Sequence, residues 1–281
     1  MFSLTRRTAR SRKRFRRPRK RFWYARLEQL EDRLPPASLQ AISVADPALG
    51  GGLGNSASQS GSFAISANGR YVAFQSVASN LVPGVTNGVS DVYVRDTVLE
   101  TTVLASTDSA GFQANAASIE PAIAVGSDGS VYVAFSSFAT NLTAAATNGV
   151  EEIFVKNLST GATTLASSDG AGNPGDSSSY DPTLAIASAG TVYVAFTSDA
   201  RNLVGNLSNT PGEPNLFLKN LATGSIALID INASAVSGNW GSTSATIAVG
   251  SNGDIVAAFA STANNLIPGL PYYTTLSGVR H

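Results

Sequence analysis

The 281-residue chain contains no cysteine, so disulfides, thiolate metal sites and thiol nucleophiles are all excluded. Its one histidine is His281, the final residue. A Ser-His-Asp arrangement would therefore rest on a frayed terminus, and a histidine-based metal site would lack ligands. Charged residues make up only 14% of the chain and there is a single methionine. No apolar run is long enough for a membrane-spanning helix, and no uninterrupted apolar stretch of signal-peptide length follows the basic N-terminal segment. Stability must come from packing and hydrogen bonding, and any chemistry from carboxylates, amides and hydroxyls.

A formal net charge of zero conceals a sharp polarity. Residues 1–33 hold 13 of the 19 Lys and Arg against three acids, Glu28, Glu31 and Asp32, while the remainder has 6 basic and 16 acidic side chains. The body is thus acidic and offers no cationic surface for nucleic acid. The arginines of residues 6–21 repel one another too strongly to fold alone. Interleaved with Phe15, Phe22, Trp23 and Tyr24, they can bind RNA or an anionic membrane, although a solvated targeting tail is the simpler reading.

Residues 27–34 (LEQLEDRL) place leucines at Leu27, Leu30 and Leu34, before Pro35 and Pro36, the pattern of one or two amphipathic helical turns. The arginine-rich opening followed by L-E-x-L-E-D-R-L-x-P resembles the leader of large exported or surface proteins of planctomycete type. That resemblance implies export and an extracellular, periplasmic or cell-surface location. The boundaries expected are a basic leader over 1–37 and a repeat body over 38–281.

What fills the body is repetition. Residues 71–74 (YVAF), 132–135 (YVAF), 193–196 (YVAF) and 256–259 (VAAF) end in phenylalanines 61, 61 and 63 residues apart. Asn80, Asn141, Asn202 and Asn265 each follow six residues later and precede a leucine. Repetition in register at this period marks a solenoid or propeller. Within one unit, residues 121–125 and 131–136 flank a Gly-Ser-Asp-Gly turn as a hairpin, and residues 153–156 and 163–167 supply two more strands. Four antiparallel strands in about sixty residues make a propeller blade. The fold class expected is all-β: a propeller of about four blades, spanning about 60–110, 118–170, 180–231 and 243–281. Residues 41–46 match the ends of later fourth strands, so the ring is either closed by this N-terminal strand completing the last blade or incomplete.

Residues 67–76 (ANGRYVAFQS), 78–84 (ASNLVPG), 86–88 (TNG) and 91–96 (DVYVRD) together resemble the TolB-like β-propeller repeat. The likeness weakens down the chain, where residues 152–157 and 215–220 replace acidic strand ends with amides. TolB-like propellers usually have more than four blades.

Asp108, Asp169 and Asp230 recur 61 residues apart, which marks them as turn elements rather than one catalytic centre. Asp199, Glu213 and Asp254 do not recur, and such acids are what a carboxylate hydrolase or lyase would need. Asn87, Asp91, Asn148 and Glu152, in two Asn-Gly loops, are candidate ligands for a weak calcium site, with an ordinary Asn-Gly turn as the simpler account. No other cofactor is expected. The repeated Tyr and Phe read as packing between blades, whereas the unrepeated Trp240, with Asp199, is a candidate ligand contact. The function expected is a non-catalytic exported or surface module binding a protein or polysaccharide, with an exported carboxylate-based hydrolase or lyase as the alternative.

Overall fold

The structure is a computed structural model that describes residues 39–281 except 62–63, 146, 148, 206, 208–211, 251, 268–273 and 281. The leader and the helical turns expected over 27–34 lie outside the described residues. Contacts divide the chain after Gln40, and Ala41–His281 forms one unit. Among the described residues no helix is long and apolar enough to cross a membrane.

The unit is a β-propeller built from four antiparallel sheets, each a meander. The first contains β1 (Ser58–Gln59), β2 (Tyr71–Ser76), β3 (Asp91–Asp96) and β4 (Thr101–Leu104). The second contains β5 (Ser118–Val125), β6 (Val131–Ser137), β7 (Glu152–Asn157) and β8 (Thr163–Leu165). The third contains β9 (Ser179–Ile186), β10 (Val192–Ser198), β11 (Asn215–Asn220) and β12 (Ile226–Leu228). The fourth has three described strands, β13 (Ser242–Val249), β14 (Ile255–Ser261) and β15 (Thr274–Arg280). The hairpin turns use glycines such as Gly129 (φ 85°) and Gly190 (φ 84°), a left-handed backbone that costs glycine nothing.

The two sides of each second strand serve two neighbours. Val131, Val133 and Phe135 of β6 pack with Ala73, Val92 and Val94 of the first blade. Ala134 and Tyr132, on the opposite side, pack with Val194, Phe196 and Phe217 of the third. Period-two alternation on a sheet buried on both faces produces this division. Phe135 pairs across the ladder with Phe154, Phe74 with Tyr93 and Phe196 with Phe217, with ring centroids 6.1, 5.6 and 5.7 Å apart. The repeated aromatics are therefore packing elements.

The repeated Asn-Leu also has a structural account. Asn141 accepts the backbone N–H of Asn115 through Oδ1 and donates to the carbonyl of Gln113. Asn115 in turn accepts the N–H of Thr140. Asn80 with Asn55, Asn202 with Asp176 and Asn265 with Asn239 form the same clamp. Each clamp ties the link between two blades to the end of the next second strand, over a buried leucine: Leu81, Leu142, Leu203 or Leu266.

Residues 41–46 do not form a fourth strand on the last sheet. Ile42 packs against the Phe74 and Tyr93 cluster of the first blade, Val44 bridges Leu53, and Asp46 donates its N–H to Leu81. Later units explain the correction. The bridges Thr107 to Gln113 and Ser168 to Pro174 repeat that of Val44 to Leu53, so residues 41–44 correspond to 104–107. Only the first of those belongs to β4; the rest are the link into the next blade.

Candidate functional site

The first strands of all four sheets converge on one axis. Residues of β1, β5, β9 and β13, with Ile42, Ser43 and the first hairpin, line a chamber of about 800 Å³. Its wall is largely aliphatic: Ile65, Ile123, Val125, Leu184, Ile186 and Ile247. A second chamber of about 380 Å³ is polar, lined by Gln59, Gln75, Glu120, Asp181 and Ser244 among others. The two linings share residues 59–61 and are consecutive along the strands: Asp181 and Pro182 precede Thr183 and Leu184, and Ser244 and Ala245 precede Thr246 and Ile247. Together they form an axial channel with an apolar end and an acidic mouth.

Three residues at the mouth hold left-handed backbones without being glycine: Glu120 (φ 55°), Asp181 (φ 52°) and Ser244 (φ 56°). Each sits in an irregular stretch of strand pairing, where one extra residue opposes the second strand. Such bulges re-aim side chains, and non-glycine residues at positive φ concentrate at functional sites. Here the bulges bring carboxylates to the mouth. Glu120 Oε2 accepts the N–H of Asp181 at 2.9 Å, and the N–H of Glu120 donates to Gln75 Oε1 at 2.8 Å.

Glu151, Tyr180 and Asp199 line neither chamber but stand beside this stretch of β9: Ser179 donates its N–H to the Glu151 carbonyl, and Asp199 donates its own to Ser178. Burial pushes the Glu151 carboxyl up, against a 2.6 Å hydrogen bond from Ser136, and the charges of Glu120 and Asp181 push it further. Partial desolvation raises Asp181 and Asp199 as well. The Tyr180 phenol is pushed up to about 12 by burial, then by Asp199, Asp181, Glu151 and Glu120. Four carboxylates therefore act on one phenol. Two of them break the repeat: Val77, Phe138 and Thr262 stand where Asp199 does, and Pro214 where Glu151 does.

Of the residues singled out from sequence, Asp199 belongs to this cluster. Trp240 is 44% exposed in the link before β13 and lines neither axial chamber. Asp254 accepts from Asn252 in a hairpin turn, and Glu213 accepts from the Gly241 N–H. Glu120, Glu151, Tyr180 and Asp181 escaped sequence reading; superposing the units and noting where acids replace apolar or neutral residues would have found Glu151.

The calcium candidates are differently disposed. Asp91 is buried, with Ser106 and Gln113 donating to its two oxygens, and Asn87 donates to the Ala114 carbonyl. Asn148 lies outside the described residues. Glu152 is fully buried and accepts from Ser167 Oγ at 2.5 Å through Oε2, while Oε1 has no partner. Among the described residues no three acidic or histidine side chains group to hold a metal ion.

Asp230 needs a second correction. Asp108 and Asp169 cap turns, accepting N–H groups of Ala110 and Phe112 and of Ala171 and Asn173. In the third unit Asn232 does this, accepting from Ser234 and Val236. The link between β10 and β11 is two residues longer than its counterparts, which slides Asp230 out of the turn series. It occupies instead the place of Ser106 and Ser167: all three accept the N–H of the third strand's second residue. Asn215, opposite it, stands where Asp91 and Glu152 do. The third blade has exchanged its buried acid between strands. Burial pushes Glu152 up to about 8 and Asp230 up to about 7.

By fold this is a β-propeller with an acid-mouthed axial channel. No protein-family model and no curated protein matches the chain. Among solved structures it is similar to one described as TolB from Agrobacterium tumefaciens, at 13% identity over 79% of this chain and 69% of that one, TM-score 0.43. It is similar to an endo-arabinase from Bacteroides thetaiotaomicron at 15% identity over 75% and 71%, TM-score 0.35. A third is the GH93 alpha-L-arabinofuranosidase of Fusarium graminearum with arabinobiose, at 12% over 80% and 65%, TM-score 0.37.

Proposed function

We propose that this chain is a non-catalytic exported or cell-surface binding module, a propeller of TolB-like kind, which holds a protein or glycan ligand at the acidic mouth of its channel. One observation carries the reading: two acids that break the repeat, Glu151 and Asp199, are bonded through their backbones to Ser179 and Ser178, next to Asp181, which lines the polar chamber with Glu120, whereas the recurring aromatics and Asn-Leu pairs account for themselves as packing and clamps. Export rests on the leader. Screening the full chain against polysaccharide and peptide arrays tests the proposal. Binding that weakens in Asp199→Asn and Tyr180→Phe supports it, and binding indifferent to both refutes it.

A second reading, a carboxylate-based hydrolase or lyase, is favoured by one feature. Glu151, Asp181 and Asp199 all hold their protons above the usual carboxylate range, the property of a general acid. Product release from a polysaccharide, abolished by Glu151→Gln, would establish that reading over the first.

A further inference from the structure

Going beyond the binding reading just given, on whose site it rests, we propose that the channel takes an amphiphilic cation, an aliphatic chain bearing a primary ammonium group. The chain fills the aliphatic chamber and the ammonium sits beside Glu120 and Asp181, which line the polar one. Two independent features converge on this ligand. The first is the chamber of about 800 Å³ walled by Ile65, Ile123, Leu184 and Ile247. Aliphatic side chains in such a wall favour an apolar ligand group. The second is charge: neither chamber is lined by a Lys or Arg, so the carboxylates at the mouth meet no basic side chain in the channel wall. An anionic or neutral headgroup would leave that charge uncompensated.

An ammonium is compact, with three donors that can reach acceptors spread around a ring. The acidic mouth sets the headgroup and the chamber sets the tail, so neither alone specifies the ligand.

Calorimetric titration of the full chain at neutral pH with octylammonium, ethylammonium, octanol and octanoate tests the proposal. Octylammonium should bind saturably, ethylammonium and octanol at least about tenfold more weakly, and octanoate not at all, given that one charge-assisted hydrogen bond is enough for a tenfold change. Asp181→Asn should weaken octylammonium by about tenfold or more, and so should Glu120→Gln. Ile65→Gln, at a position already 65% exposed and therefore safe for folding, should weaken octylammonium and leave ethylammonium unchanged. Octanol binding as well as octylammonium, or no octylammonium binding, would overturn the ligand assignment. If a glycan or peptide then binds in a manner sensitive to Asp199→Asn, the mouth remains a binding site and only this ligand class fails. If no probe responds to either Asp substitution, both readings fail.

Discussion

Replacing Glu152 with glutamine should stabilise the protein, and more so as pH rises. The carboxyl is fully buried, with one oxygen held by Ser167 and the other without a partner, and desolvation drives its pKa from 4.5 to about 8. A group with a raised folded value binds its proton more tightly when folded. The stability tied to it is therefore complete below about 4.5 and is lost as pH rises through about 8. At about 1.36 kcal/mol for each tenfold change in proton affinity, the loss reaches up to about 4 kcal/mol by pH 8. Glutamine keeps the shape and cannot ionise, and Asn215, at the equivalent position of the third blade, shows that an amide fits there. Thermal unfolding of wild type and Glu152→Gln between pH 5 and pH 8 measures the effect. The gain should be small at the acid end and reach up to roughly 8–16 °C in Tm at the alkaline end for a domain of this size. A gain of equal size at both ends, or none, would refute the reasoning, because only a titrating group produces the slope. Asp230, pushed up to about 7, should retain its own share of the dependence in this variant and lose it in Asp230→Asn.

Phe135→Ala removes a fully buried ring stacked on Phe154 and should cost about 3–5 kcal/mol in denaturant unfolding; an unchanged midpoint would show that the interface between the first two blades does not depend on it. Asn141→Ala breaks one clamp and should cost about 1–3 kcal/mol, with faster amide exchange at Asn115 as its local signature. Deleting residues 1–46 should lower Tm well beyond deleting 1–38, because it removes Ile42 from the Phe74 and Tyr93 cluster. Equal stabilities would mean that the segment contributes nothing to the first blade.

Periodicity made the blades legible because every unit solves the same packing problem. A strand buried between two neighbours needs Val, Ala and Phe at alternating positions, so its requirement is written locally and recurs. Asn-Leu pairs recur for the same reason, although the sequence does not say that the asparagine clamps a link. Where a loop changed length, local reading slipped: two extra residues between β10 and β11 made Asp230 look like Asp169 when it does the work of Ser167. Residues 41–46 were recognisable as a repeat fragment, but their neighbour was not, since a link and a strand end share the same letters.

Apart from Asp199, the acids of this region were not read from the sequence. Glu120, Glu151, Asp181 and Asp199 are separated by up to 79 positions, and nothing in the chain announces that bulges turn two of them toward the axis. Local propensity and burial pattern are properties of neighbouring residues, so the sequence alone determined the strands, the period and the all-β class. Convergence at an axis is a property of how whole blades pack, so only the tertiary structure decided which carboxylates share one space and which buried acids must hold their protons there.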